Sequence, residues 1–226
     1  MKKSFVYRIA LLVFLLTFLF NANVFSQTTP VSENGRLKVV ANHLCDANDQ
    51  PIQLRGMSSH GLQWYGWGAC VTDASLDALA YEWKSGVFRV SMYVDEGGYK
   101  TDPAGYKAAI DTIVDDALER GIYVILDWHI LNPGDPLDNI DHAREFFSYM
   151  SAKHGGKGHV LYEVCNEPNG VAWSRIKTYA EDVIPVIRAN DPDGIIIVGT
   201  PAWSSFGISE GRDPMEMANN PLTGTN

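Results

Sequence analysis

The chain has 226 residues, 46% hydrophobic and 20% charged, the balance of a globular chain long enough for one large domain. Its net charge of −9 disfavours nucleic acid and anionic membranes as partners and is compatible with a neutral substrate such as a polysaccharide. Its three cysteines, Cys45, Cys70 and Cys165, show no CxxC or Cys/His spacing suited to zinc, and no cofactor is called for.

Lys2, Lys3 and Arg8 flank an apolar run from Ile9 to Phe20, too short to cross a bilayer and the right length for a signal-peptide core. Residues 1–26 therefore read as a signal peptide cleaved after Ser26. This predicts a secreted or periplasmic protein with no membrane attachment, and losing those three bases moves the net charge to −12. An odd cysteine count leaves at least one thiol unpaired in an exported chain. Cys165 reads as a small buried apolar residue, and a Cys45–Cys70 disulfide stays open.

Residues 27–34 are polar and read as a flexible leader. Gly35–Val40 and Gln50–Arg55, separated by Asp46–Asp49, read as a β-hairpin whose second arm continues into a first core strand, Ile52–His60. The chain then alternates. A helix spans Asp73–Trp83, with Leu76, Leu79, Ala80 and Trp83 on one stripe. A strand Val87–Val94 follows. The next helix, Pro103–Arg120, buries Ile110, Ile113, Val114, Ala117 and Leu118, and Gly121 stops it. Strands Ile122–His129, Val160–Cys165 and Gly194–Thr200 are separated by helices Asn139–Lys153 and Ala172–Ala189, the second with Pro185 inside; a short helical piece lies near Asp213–Asn219. Repeated βα units with continuous apolar strands mean a parallel sheet covered by helices.

Side-chain parity chooses between a doubly wound sheet and a (β/α)8 barrel. Phe88, Val90, Met92 and Val94 share one face of their strand, as do Val124, Leu126 and Trp128, and Tyr162, Val164 and Asn166. The opposite parity gathers Arg89, Tyr93, Asp127, His129, Glu163 and Glu167. Charges converging inside a ring can compensate one another, whereas on an open sheet they would be buried singly, so the barrel is favoured. Five core strands are legible against the eight of a barrel. Residues 35–226 are therefore expected to be a partial catalytic domain, truncated after about five βα units.

Strand ends deliver His60, Tyr93, His129, Asn166 and Glu167 to one end. Asn166-Glu167-Pro168 closes a buried strand with a carboxylate, which is costly there unless it has a task. Arg89 and Glu163 each lie four residues below a strand end, predicting an ion pair at equal depth; Asp127 is placed to orient His129. His60 and His129 lack a second ligand at close spacing, so no metal site is assigned. Trp64, Tyr65, Trp67, Trp173 and Trp203 crowd the loops at this end. Trp64 and Trp203 offer flat faces for stacking on sugar, while Trp83 and Trp128 read as core.

RGMSSHGLQWYG, FRVSMYV, VILDWH and YEVCNEPNG, in that order and spacing, resemble glycoside hydrolase family 5, most closely its bacterial endo-β-1,4-glucanases or cellulases, from about Gly35 onward. The resemblance implies a (β/α)8 barrel and metal-free, retaining hydrolysis of internal β-1,4-glucosidic bonds. It implies Glu167 as proton donor and Asn166 on the sugar 2-hydroxyl. It places His60, Arg89, Tyr93 and His129 at the catalytic end, with Trp64 and its neighbour Tyr65 as binding aromatics. A retaining glycosidase needs a second carboxylate about 5–5.5 Å from the acid. In this family it is a glutamate ending the seventh strand, which is not legible here. Glu163 sits too deep to replace it, and nothing in the sequence places Asp135, Asp138 or Glu210 opposite Glu167. The expectation is a monomeric enzyme acting on β-glucan, whose 226-residue piece carries the acid without the nucleophile and is inactive alone. A mannanase or xylanase of the same family, or an inactive sugar-binding remnant, are the alternatives.

Overall fold

The computed structural model describes residues 28–224. The expected signal peptide lies outside them. Two short strands, β1 (Lys38–Val40) and β2 (His43–Cys45), pair antiparallel. Five strands form a parallel sheet in sequential order: β3 (Gly56–Ser58), β4 (Val87–Tyr93), β5 (Tyr123–His129), β6 (Val160–Cys165) and β7 (Ile195–Val198). Sequential parallel order with a helix between strands is the arc of a (β/α)8 barrel.

The two parities separate as expected. Phe88, Val90, Met92, Val94, Val124, Leu126, Trp128 and Tyr162 pack in one large cluster with helix residues such as Ile110, Val114, Phe146, Phe147, Tyr179 and Val183. These come from the helices Pro103–Glu119, Ile140–His154 and Trp173–Arg188. The inner face starts with Val87, Tyr123, Leu161 and Ile195, which pack on Leu37, Leu44, Ile52 and Leu54. The hairpin thus plugs the end of the arc opposite the strand tips. Gly121 ends its helix at φ +66, the left-handed conformation that favours glycine at this position.

Three local expectations are corrected. Residues 30–34 form a helix rather than a flexible leader. Thr29 caps it, its hydroxyl accepting from Ser32 N at 3.2 Å while Ser32 Oγ accepts from Thr29 N at 2.8 Å. Val31 N donates to Gly121 O at 2.9 Å, tying this helix to the base of the sheet. The hairpin turns at Ala41-Asn42 instead of Asp46–Asp49, with Lys38 opposite Cys45. The later turn is held by Asp46 Oδ1, which accepts from Asn48 N and Gln50 N at 2.8 Å each, and leaves only a Cys45–Pro51 bridge.

Trp83 is 64% exposed rather than core. The helix Asp73–Asp77 widens into a π-turn over Ala78–Glu82, which rotates Trp83 off the Leu76 stripe. Cys45, buried by the hairpin, and exposed Cys70 are both free thiols, so no disulfide joins them.

Candidate active site

The site lies where β4, β5 and β6 end. Register places Ser91, Asp127 and Glu163 at one level and Tyr93 beside His129 one pleat above. Arg89 pairs with Ile125, a full pleat below Glu163, so the expected equal depth is wrong although the ion pair forms. The long arginine reaches upward instead. Its Nε donates to Glu163 Oε2 at 2.7 Å, Nη2 to Asn166 Oδ1 at 2.7 Å and Nη1 to Ser91 Oγ at 3.0 Å, and Nη2 forms an ion pair with Asp127 Oδ2 at 2.8 Å.

One guanidinium therefore serves two carboxylates and an amide. Burial alone would lower the Arg89 pKa, but the Glu163 hydrogen bond and the charges of Asp127, Glu163 and Glu167 raise it. Glu163 is itself pushed up, chiefly by burial and also by Asp127, against the pull of Arg89.

Asp127 Oδ2 also sits 2.7 Å from His129 Nδ1, which places the proton of a neutral ring there and leaves Nε2 as an acceptor. Asn166 Nδ2 donates to that Nε2 at 3.2 Å. The Asn166 amide is thus oriented from both sides, oxygen toward Arg89 and nitrogen toward His129. Its second N–H stays available to a ligand.

Strict alternation would have put Asn166 on the outer face with Tyr162 and Val164. A β-bulge between Glu163 and Cys165 reverses the phase. Val164 and Cys165 both join the outer cluster, and Asn166 turns inward. Burial raises the Cys165 thiol pKa to about 12, so it stays a neutral packing group.

Glu167 follows at the rim, half-buried, and its carboxylate makes no hydrogen bond or ion pair among the described residues. Its backbone is held by neighbours the sequence reading missed. Asn169 Nδ2 donates to Glu167 O at 3.2 Å, Ser204 Oγ to Asn166 O at 2.9 Å, and Trp203 N to Pro168 O at 3.0 Å. Ala202, Trp203 and Ser204 all take left-handed φ values of 55–58°. That conformation costs about 1–2 kcal/mol per residue for non-glycine residues, and here it lays the loop after β7 along Asn166–Pro168. The fold of this loop depends on contacts with another strand, which no local motif encodes.

Asp135 caps the turn at Leu137 N (3.0 Å) and pairs with Arg175, while Asp138 is exposed. Glu210 accepts from Gly170 N at 2.9 Å and pairs with Arg212. The Gly170 hydrogen bond and Arg212 hold its pKa low.

Gly199 is packed against the same strand end. An added Cβ would fall 2.5 Å from the carbonyl oxygens of both Cys165 and Asn166 and 2.7 Å from Pro168 Cδ. Backbone cannot yield as a side-chain tip can. Gly199→Ala should therefore displace Asn166–Pro168 and cost about 1–3 kcal/mol in urea unfolding. A midpoint equal to wild type would show that the contact is soft.

The aromatics form a path away from this centre. The Tyr93 ring stacks on His129 at 4.1 Å, Trp64 lies 4.6 Å from Tyr93, and His60 lies 4.9 Å from Trp64. His60 Nδ1 accepts from Gly61 N at 2.8 Å. The Tyr93 pKa is raised by burial first and then by Glu96, Asp127 and Glu167. Trp203 is half exposed, its backbone N–H held by Pro168 O, whereas Trp173 is buried, with Nε1 donating to Asn220 O at 2.7 Å. Arg89, His129, Asn166, Tyr93, Trp64 and His60 are thus linked by direct contacts, and Tyr65 points out to solvent.

Residues 45–226 match the cellulase family, glycosyl hydrolase family 5. The chain belongs to this family. It is 54% identical over 198 residues to Endoglucanase E-5 of Thermobifida fusca and 55% identical over 198 residues to Endoglucanase CelA of Streptomyces lividans. Each alignment takes in 88% of this chain and 42% of the relative, so the chain spans about two fifths of the length of these curated proteins. The crystal structure of the catalytic domain of the Thermobifida fusca endoglucanase Cel5A superposes with a TM-score of 0.85 at 54% identity, covering 88% of this chain and 65% of that one. The same catalytic domain has been solved in complex with cellotetraose, with a TM-score of 0.84. The five parallel strands are thus part of a family 5 (β/α)8 barrel.

Proposed function

We propose that this chain belongs to a secreted endo-β-1,4-glucanase that hydrolyses internal bonds of cellulose or a related glucan with retention of configuration. The observation that carries the reading is Glu167, an uncommitted carboxylate at the tip of a buried strand, beside an amide whose orientation is set by Arg89 and His129. Such an amide can hold a sugar hydroxyl beside the bond being cleaved while Glu167 protonates the departing oxygen. Trp64, Tyr93 and His60 supply flat faces for the ring. The relatives' names and the cellotetraose complex support a β-glucan over other glycans.

Retention requires a nucleophilic carboxylate across from Glu167. Asp135 and Glu210 are committed elsewhere, so the nucleophile is assigned to the part of the family's length that this chain does not span. Export is proposed from the basic-then-apolar pattern at residues 1–26.

The test uses the protein carrying the complete family 5 domain, with soluble cellulose, mannan and xylan as substrates. Proton NMR then identifies the first anomer released from a cello-oligosaccharide. Preference for the glucan and a β-anomer product are expected. A mannan or xylan preference would reassign the substrate, and an α-anomer would overturn the retaining mechanism.

A further inference from the structure

Asn-Gly occurs twice in the chain, at Asn34-Gly35 and Asn169-Gly170. This dipeptide is the one most open to spontaneous deamidation, because glycine lacks the side chain that would keep its nitrogen off the asparagine amide carbon. Asn34-Gly35 is bound into a helix end, with Asn34 Nδ2 donating to Pro30 O at 2.8 Å and Gly35 N to Val31 O at 2.9 Å. Asn169-Gly170 is bound instead by its neighbours in space. Asn169 N donates to Gly134 O, and Asn169 Nδ2 to Leu131 O and Glu167 O, at 3.2 Å each. Gly134 backs the amide so closely that an added Cβ would fall 2.5 Å from Asn169 Cγ. Gly170 is exposed, with nothing within 4 Å of where its Cβ would be, and its N–H donates to Glu210 Oε1 at 2.9 Å.

We infer that Asn169 is a modification site, a deamidation position that Glu210 holds in check and whose conversion releases the backbone of Glu167. In the reaction Gly170 N gives up its proton and bonds to Asn169 Cγ. The bond from Cγ to Nδ2 breaks, and ammonia leaves with that proton. Water then opens the cyclic imide at either carbonyl, giving aspartate or isoaspartate. An anion against the Gly170 N–H opposes the negative charge that develops on that nitrogen, and the hydrogen bond must break before attack. Arg212 Nε on Glu210 Oε2 at 2.9 Å keeps the carboxylate in place. Either product replaces the donor to Glu167 O and Leu131 O by an oxygen anion, and isoaspartate also reroutes the backbone through Cβ. The effect on activity rests on the reading of Glu167 as the acid; the modification itself does not.

The experiment ages the protein carrying the complete family 5 domain at mildly alkaline pH and follows both asparagines by peptide mass spectrometry. Glu210→Ala should convert Asn169 about tenfold faster than wild type, the worth of one hydrogen bond to a charged acceptor, and leave Asn34 within about twofold. Glu210→Gln keeps an acceptor without the charge and should fall between. Unchanged rates at Asn169 in both variants, or equal acceleration at Asn34 in both, overturn the inference. Activity on soluble cellulose should fall in step with conversion at Asn169. Full activity after conversion would show that Asn169 does not hold Glu167 in place. A fresh wild-type protein with no activity on cellulose would remove the glucanase reading and leave the mass measurement to decide the modification.

Discussion

Arg89→Met should be the most damaging substitution in the sheet interior, costing about 3 kcal/mol of folding free energy. The cost comes from what is left behind. Asp127 is fully buried and Glu163 nearly so, with side-chain exposures of 0% and 13%, and Arg89 is the cation they share. Removing it leaves two carboxylates at one level of the sheet, with only the hydrogen bond from His129 to Asp127 remaining beside them among the described residues. Breaking a buried pair typically costs about 3–5 kcal/mol, and the 23% exposure of the Arg89 side chain argues for the low end.

Arg89→Lys keeps the charge but not the fork, so it cannot serve Glu163, Asp127 and Asn166 together and should recover only part of the loss. Glu163→Gln should be milder, because Arg89 keeps Asp127. Urea unfolding of the three variants gives the ordering. An Arg89→Met midpoint within about 1 kcal/mol of wild type would show that the two carboxylates are relieved some other way, as by proton uptake at Glu163, whose pKa burial already raises.

How much of this site could be read from the sequence depended on the range of the interactions involved. Parity along β4 and β5 placed Arg89, Tyr93, Asp127 and His129 on one face because alternation is a local property of any extended strand. The same rule failed at Asn166, since the bulge after Glu163 is set by pairing with β7 and leaves no mark on residues 160–166. Depth failed for a related reason. Counting back from strand ends assumed that β4 and β6 finish level, whereas the register offsets them and a flexible arginine makes up the difference.

Thr29-Pro30-Val31-Ser32 was legible as a cap followed by proline at the first helical position, and its polar composition hid it. The clasp of Ser204 and Trp203 on Asn166–Pro168 was not legible, because it joins residues 35 and 38 positions apart through a left-handed loop.

Glu167→Gln separates chemistry from architecture. In the protein carrying the complete family 5 domain it should lower kcat on soluble cellulose by about 10²–10⁴-fold, the usual contribution of a general acid. The change is isosteric and removes only the transferable proton. Stability should move by less than about 0.5 kcal/mol, because the Glu167 carboxylate has no hydrogen bond or ion pair among the described residues to lose. KM should also stay close to wild type, since Asn166 keeps its two anchors to Arg89 and His129.

The loss should shrink on an aryl cellobioside whose phenolate leaves without protonation, a pattern that a merely structural role could not produce. Arg89→Met should show the reverse profile, with stability and turnover falling together. Full activity of Glu167→Gln on cellulose would remove Glu167 as the acid. An equal loss on activated and unactivated substrates would move it from proton transfer to positioning.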